Sequence, residues 1–119
     1  MTISRSEIDP ETAHAISAFM ERIMGDYPVA GARLYGSRAR GDHNENSDVD
    51  VAVFLKGARA AKSDLIRTKL AMADIAFDIL LDTDVLVSPL PIWEAEWRHP
   101  ELYGNPRLLE NIRREGVVL

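Results

Sequence analysis

The chain of 119 residues contains no cysteine, which excludes a disulfide framework and any thiolate site for metal or catalysis. No apolar run is long enough to span a bilayer, and the N-terminus lacks the charged-then-apolar pattern of a secretion signal. A cytoplasmic protein with no membrane segment is therefore expected. Excess positive charge is also missing: 14 Lys and Arg face 19 Asp and Glu, for a formal net charge of −5. Direct nucleic-acid binding, which rests on neutralising phosphates with basic side chains, is not expected. Aromatic residues make up only 7%, so the i, i+4 pair Trp93 and Trp97 stands out; it reads as core or partner-facing rather than as a base-stacking platform. What remains is an ordinary globular composition, nearly half hydrophobic. The length suits one domain over residues 1–119 with a single core, and no second, substrate-binding domain is expected.

The stretch that organises the rest runs from Leu34 to Leu55. Val29 to Tyr35 reads as a first strand that delivers Gly36-Ser37 at its C-terminal end, where ligands of α/β sheets usually sit. A polar loop follows, and then Asp48-Val49-Asp50 leads a β-branched apolar run that reads as a second strand. Side chains alternate along a strand, so Asp48 and Asp50 are expected on one face, about 7 Å apart. Two such carboxylates repel unless a cation lies between them, and oxygen ligands of this kind suit magnesium. Gly36 allows close backbone approach, Ser37 adds a hydroxyl at a helix start, and free N–H groups there would attract a phosphate. Together these point to chemistry on a nucleoside triphosphate. Arg38 has two readings: contact with the triphosphate or substrate, or an exposed charge balancing Asp42 and Glu45. For Arg40 the exposed reading is preferred.

Gly36-Ser37, ten residues, then Asp48-Val49-Asp50 resembles, in type and spacing, the signature of the minimal nucleotidyltransferases of the DNA polymerase β superfamily. The loop filling Arg38-Ala39-Arg40-Gly41-Asp42, with Ser47 before Asp48, is also similar, as is the closing stretch from Asn111 to Val117. The resemblance implies an enzyme in which Asp48 and Asp50 hold Mg2+ and act in catalysis. Gly36, Ser37 and Arg38 would bind the nucleotide, with ATP as substrate. Many members carry a third carboxylate on the next strand; the matching position here is Ser88, which leaves two carboxylates unless Glu45 or another acid joins them. Small members of this kind resemble the antitoxin of a toxin–antitoxin pair whose partner is an all-helical HEPN-domain ribonuclease, modified by AMP on a tyrosine. The rivals are an antitoxin that neutralises by binding alone and an antibiotic-modifying nucleotidyltransferase. Self-association is left open.

Elsewhere the sequence predicts secondary structure. Asp9-Pro10-Glu11 starts a helix with Ala13, Ile16, Met20 and Ile23 inward. A second long helix from Ser63 has Ile66, Leu70, Ala73, Phe77 and Leu80 as its expected core face, and Asp74, Asp78 and Asp82 as solvated residues rather than metal ligands. Residues 56–62 read as a mobile polar link. Residues 85–90 read as a third strand stopped by Pro89 and Pro91, and Asn105-Pro106 opens a last helix ending at Gly116, with a short edge strand after it. The expected fold is α/β: a mixed sheet of about four strands with helices mainly on one face.

Overall fold

The computed structural model describes residues 2–119. Its elements are α1 (Pro10–Asp26), β1 (Val29–Tyr35), α2 (Ser37–Arg40), β2 (Val49–Leu55), α3 (Ser63–Thr83), β3 (Val87–Trp93), α4 (Glu94–Arg98), α5 (Pro106–Glu115) and β4 (Val117–Val118). The four strands form one sheet in the order β3-β2-β1-β4. β1 pairs antiparallel with both β2 and β4, whereas β2 and β3 are parallel, with α3 as the long crossover that parallel neighbours require. This is the expected mixed α/β architecture. Among the described residues, no helix is long and apolar enough to cross a membrane.

β2 is central, and its burial follows: Val49 and every residue from Val51 to Leu55 are buried. Val49, Val51, Val53 and Leu55 meet Phe19 and Ile23 of α1 and Met72, Ile75 and Ile79 of α3 in the larger core. Ala52 and Phe54 point the other way, into a smaller cluster with Leu90, Ile92, Tyr103, Leu109 and Ile112. The two long helices thus share one face, and the shorter α5 closes the other. On that second face Trp97 stacks on Phe54 with ring centroids 4.6 Å apart, and the Arg113 guanidinium lies 3.9 Å from its ring. Trp97 is an internal joint between sheet and helix rather than a free platform.

Three expectations are corrected. In α1, Thr12, Ala15 and Phe19 are buried with Ile16 and Ile23, while Ala13 and Met20, expected inward, are only partly buried. In α3 the buried residues are Met72, Ile75, Ala76 and Ile79, and the expected core members Ile66, Leu70 and Phe77 face outward. The helix carries two apolar stripes, and periodicity alone does not say which one meets the sheet. The third strand runs to Trp93, through both prolines. Leu86 O accepts the Val49 N–H at 2.8 Å, so even-numbered residues of β3 bond to β2. Pro89 and Pro91 therefore turn their nitrogens to the free edge, where no ladder bond is lost.

The link over residues 56–62 is anchored, contrary to expectation. Gly57 N donates to Glu94 Oε1 at 3.1 Å, Gly57 O accepts from Ala95 N at 3.1 Å, and Arg59 Nη2 lies 2.7 Å from Oε2 of the buried Glu96. Removing one partner of such a pair strands a desolvated charge. Arg59→Ala is expected to cost about 2–4 kcal/mol of stability, and adding Glu96→Leu should recover part of it, since an apolar replacement removes the stranded charge. Urea unfolding of the two variants checks this; equal stability of both would place Glu96 in solvent contact.

Candidate active site

The site forms where β1 ends and β2 begins. Antiparallel pairing sets Tyr35 opposite Asp50, so Gly36 leaves the sheet directly beside the Asp50 carboxylate. Gly36 adopts φ +75°, and a Cβ at this position would collide with Asp50 Oδ2. Both facts demand glycine: the left-handed backbone and the space that the carboxylate fills. Ser37, half-buried, opens the single turn of α2, in which Gly36 O accepts N–H bonds from Ala39 and Arg40. Gly41 ends that turn at φ +79°.

Asp48 and Asp50 come together as the sequence predicts. Asp48 is exposed just ahead of β2, and Asp50 is half-buried on it. Burial pushes the Asp50 carboxyl above its ordinary value, the charge of Asp48 pushes it further, and Arg40 pulls it back. Neither side chain has a hydrogen bond or ion pair among the described residues. Burial, then Asp50, then Tyr103 also raise the neighbouring Tyr35 hydroxyl well above its usual range. On the other side of Asp50 the parallel register places Ser88. The strand position beside Asp50 is thus a hydroxyl, not a third acid. Asp48 and Ser88 share a cleft with Lys69, Ala73, Phe77 and Leu86, between the middle of α3 and the start of β3.

Arg38 lies elsewhere than either reading anticipates. Its guanidinium is turned inward, 4% exposed. Nε and Nη2 both donate to Ser47 O, at 3.1 and 2.8 Å, and Nη1 donates to Thr12 Oγ1 at 2.7 Å. The Thr12 hydroxyl in turn donates to Asp9 Oδ1 at 2.7 Å, and His43 Nε2 sits 3.3 Å from the same oxygen. Arg38 bolts the residue before Asp48 to α1, and its buried guanidinium spends a donor of each nitrogen inside the protein. In the sequence Asp9 reads only as a helix cap and Thr12 carries no signal; its full burial on α1 shows only in the fold. Arg40 pairs with Asp42 at 3.2 Å, as the preferred reading has it. Glu45 is exposed on the loop, and Asp78 of the α3 acidic series pairs with Arg22 at 3.3 Å.

Among the described residues no group of three or more His, Cys, Asp or Glu could hold a metal ion. The pair Asp48 and Asp50 nonetheless fits a hard divalent cation on its own chemistry: oxygen donors, mutually repelling, without a hydrogen bond or ion pair among the described residues, one exposed and one half-buried.

In class, this is a small α/β protein with its polar site at one end of a mixed sheet. The chain belongs to the nucleotidyltransferase domain family, whose model matches residues 16–113. It is 39% identical over 57 residues to a protein of Methanocaldococcus jannaschii provisionally named a protein adenylyltransferase. That match covers 48% of this chain and 52% of the relative, so it spans about half of each. Among solved structures, a provisionally assigned nucleotidyltransferase of Sulfolobus solfataricus aligns over 92% of this chain and 86% of its own, with 16% identity and a TM-score of 0.43.

Proposed function

We propose that this chain is a minimal nucleotidyltransferase that uses Mg2+ and ATP to place AMP on a hydroxyl group. The observation that carries this reading is Gly36, held at positive φ against the carboxylate of Asp50, which with Asp48 makes no hydrogen bond or ion pair among the described residues. The space that Gly36 leaves is filled by the Asp50 carboxylate itself, which supports a role for that acid beyond a solvated strand end. In this reading Asp48 and Asp50 hold the metal, and Gly36 and Ser37 approach the phosphates through backbone and hydroxyl. When bound, the magnesium ion supplies charge neutralisation and orients the triphosphate.

The acceptor oxygen attacks the α-phosphorus; the bond to pyrophosphate breaks, and pyrophosphate departs with its electron pair. The acceptor's proton leaves to solvent, because the strand position beside Asp50 is Ser88 and offers no carboxylate base. Arg38 takes no part in contact with substrate. Through Ser47 it fixes the approach to Asp48, a positioning role.

The acceptor we propose is a tyrosine of an all-helical HEPN toxin, with this chain as antitoxin; one domain over residues 1–119 is sufficient for it. The name of the archaeal relative, a protein adenylyltransferase, supports a protein acceptor over a small-molecule one. Intact-mass spectrometry of such a partner, after incubation with this chain, magnesium and ATP, should show one added adenylyl group. Ser88 beside Asp50 favours a second reading, neutralisation by binding alone. An unmodified partner that is nonetheless inhibited would establish that reading instead.

A further inference from the structure

We propose that the outward face of α3 is a self-complementary surface on which a second copy of this chain docks, helix against helix and antiparallel. The face is apolar where a solvated helix would be polar. Ile66, Leu70, Phe77 and Leu81 are 60%, 64%, 56% and 70% exposed, with exposed Ala73 between them. At 3.6 residues per turn these five lie in one stripe, roughly 22 Å long at 1.5 Å per residue. Leu86, at the start of β3, borders it beside Phe77.

The order of residues along the stripe identifies the occupant. Taken about the point between Ala73 and Asp74, Ile66 maps onto Leu81 and Leu70 maps onto Phe77. Two copies related by a two-fold axis through that point would therefore set large apolar side chains against large ones at both ends. The small Ala73 side chains would meet where the helices cross, letting the backbones approach. Charge follows the same axis. Arg67 flanks the first half of the stripe and Asp78 and Asp82 flank the second half on the same side. Antiparallel docking brings Arg67 of one copy between Asp78 and Asp82 of the other. A foreign helix would require the apolarity but not this symmetry. Asp78 already pairs with Arg22, but both side chains are about half exposed, so that contact is weak and readily shared. Asp74 falls next to its own copy at the axis and opposes association.

One helix face makes a small interface, so the dimer should have a dissociation constant of about 1–100 μM. Sedimentation velocity from low to high micromolar concentration should show a monomer–dimer equilibrium. Phe77→Asp should weaken it by about tenfold or more with an unchanged melting temperature, because Phe77 is exposed in the monomer. Asp74→Asn should tighten it. The absence of cysteine makes the register directly testable, since an introduced thiol is the only one present. Ala73→Cys should form a disulfide-linked dimer on mild oxidation. Ile66→Cys and Leu81→Cys should crosslink when mixed but neither alone. A wild-type chain that stays monomeric at several hundred micromolar overturns the proposal. So does crosslinking of Ile66→Cys alone as fast as Ala73→Cys, and so does a stripe that takes up only a different helical protein.

Discussion

Replacing Asp48 and Asp50 together with asparagine is expected to abolish magnesium-dependent ATP binding and to slow nucleotidyl transfer at least about a thousandfold, roughly 4 kcal/mol of transition-state stabilisation. The same change should make the protein slightly more stable. Burial, then the charge of Asp48, holds the Asp50 carboxyl above its usual range, so its ionised form is disfavoured by the fold. Neither acid gains a compensating hydrogen bond or ion pair among the described residues. Asparagine keeps the shape that Gly36 accommodates and removes the repulsion. Because Asp50 is only half-buried, solvent screening limits the gain to about 0.5–1 kcal/mol, or roughly 2–5 °C in melting temperature. Calorimetric titration with magnesium–ATP and differential scanning calorimetry test the two halves separately. An unchanged affinity would remove these residues from the metal site. A melting temperature lowered by several degrees would make them structural carboxylates instead.

The fold and the heart of the site were legible for the same reason: both are local. Alternation along β2 and the turn residues before it need no knowledge of the rest of the chain, and so the central strand follows from spacing, whereas the contact of Gly36 with Asp50 needs the antiparallel register of β1 and β2. Ser88 was placed by the family resemblance alone, and the parallel register of β2 and β3 sets it beside Asp50. Failures came where a decision depends on distant partners. α3 has two stripes with helical period, and only the packing of α1 and the sheet selects the Met72, Ile75, Ile79 side for the core. Arg38 reads as a triphosphate contact or a surface charge until α1 brings Thr12 and Asp9 against it from 26 and 29 residues away in sequence. Pro89 and Pro91 look like strand breakers until β3 is known to be an edge. Arg59 and Glu96 likewise meet only because β3 returns beside β2.

Arg38→Ala is expected to be the most destabilising exchange near the site, at about 3–5 kcal/mol, lowering the melting temperature by roughly 10–20 °C. The alanine would leave the Ser47 carbonyl without its two donors and the fully buried Thr12 hydroxyl without the one it accepts from, and would remove the guanidinium beside Asp9. Arg38→Lys should recover little, because an ammonium lacks the fork that holds Ser47 O with two nitrogens while reaching Thr12 with a third. The cluster also sets an acid limit on stability. At Asp9, burial raises the carboxyl, but the Thr12 hydroxyl and amide, with His43 and Arg38, outweigh it, so its folded value lies below the ordinary one. A depressed acid contributes stability that is fully present above its unfolded pKa of about 3.9 and is lost as pH falls through the folded value. Thr12→Val should therefore flatten the loss of stability below about pH 4 as well as lower the plateau. These outcomes separate positioning from direct nucleotide contact. A positioning residue costs stability first, and Arg38→Ala protein that remains folded at low temperature should show a reduced transfer rate with the KM for ATP little changed. A variant with wild-type melting temperature and a sharply raised KM would instead put Arg38 on the triphosphate, against the inward-turned guanidinium seen here.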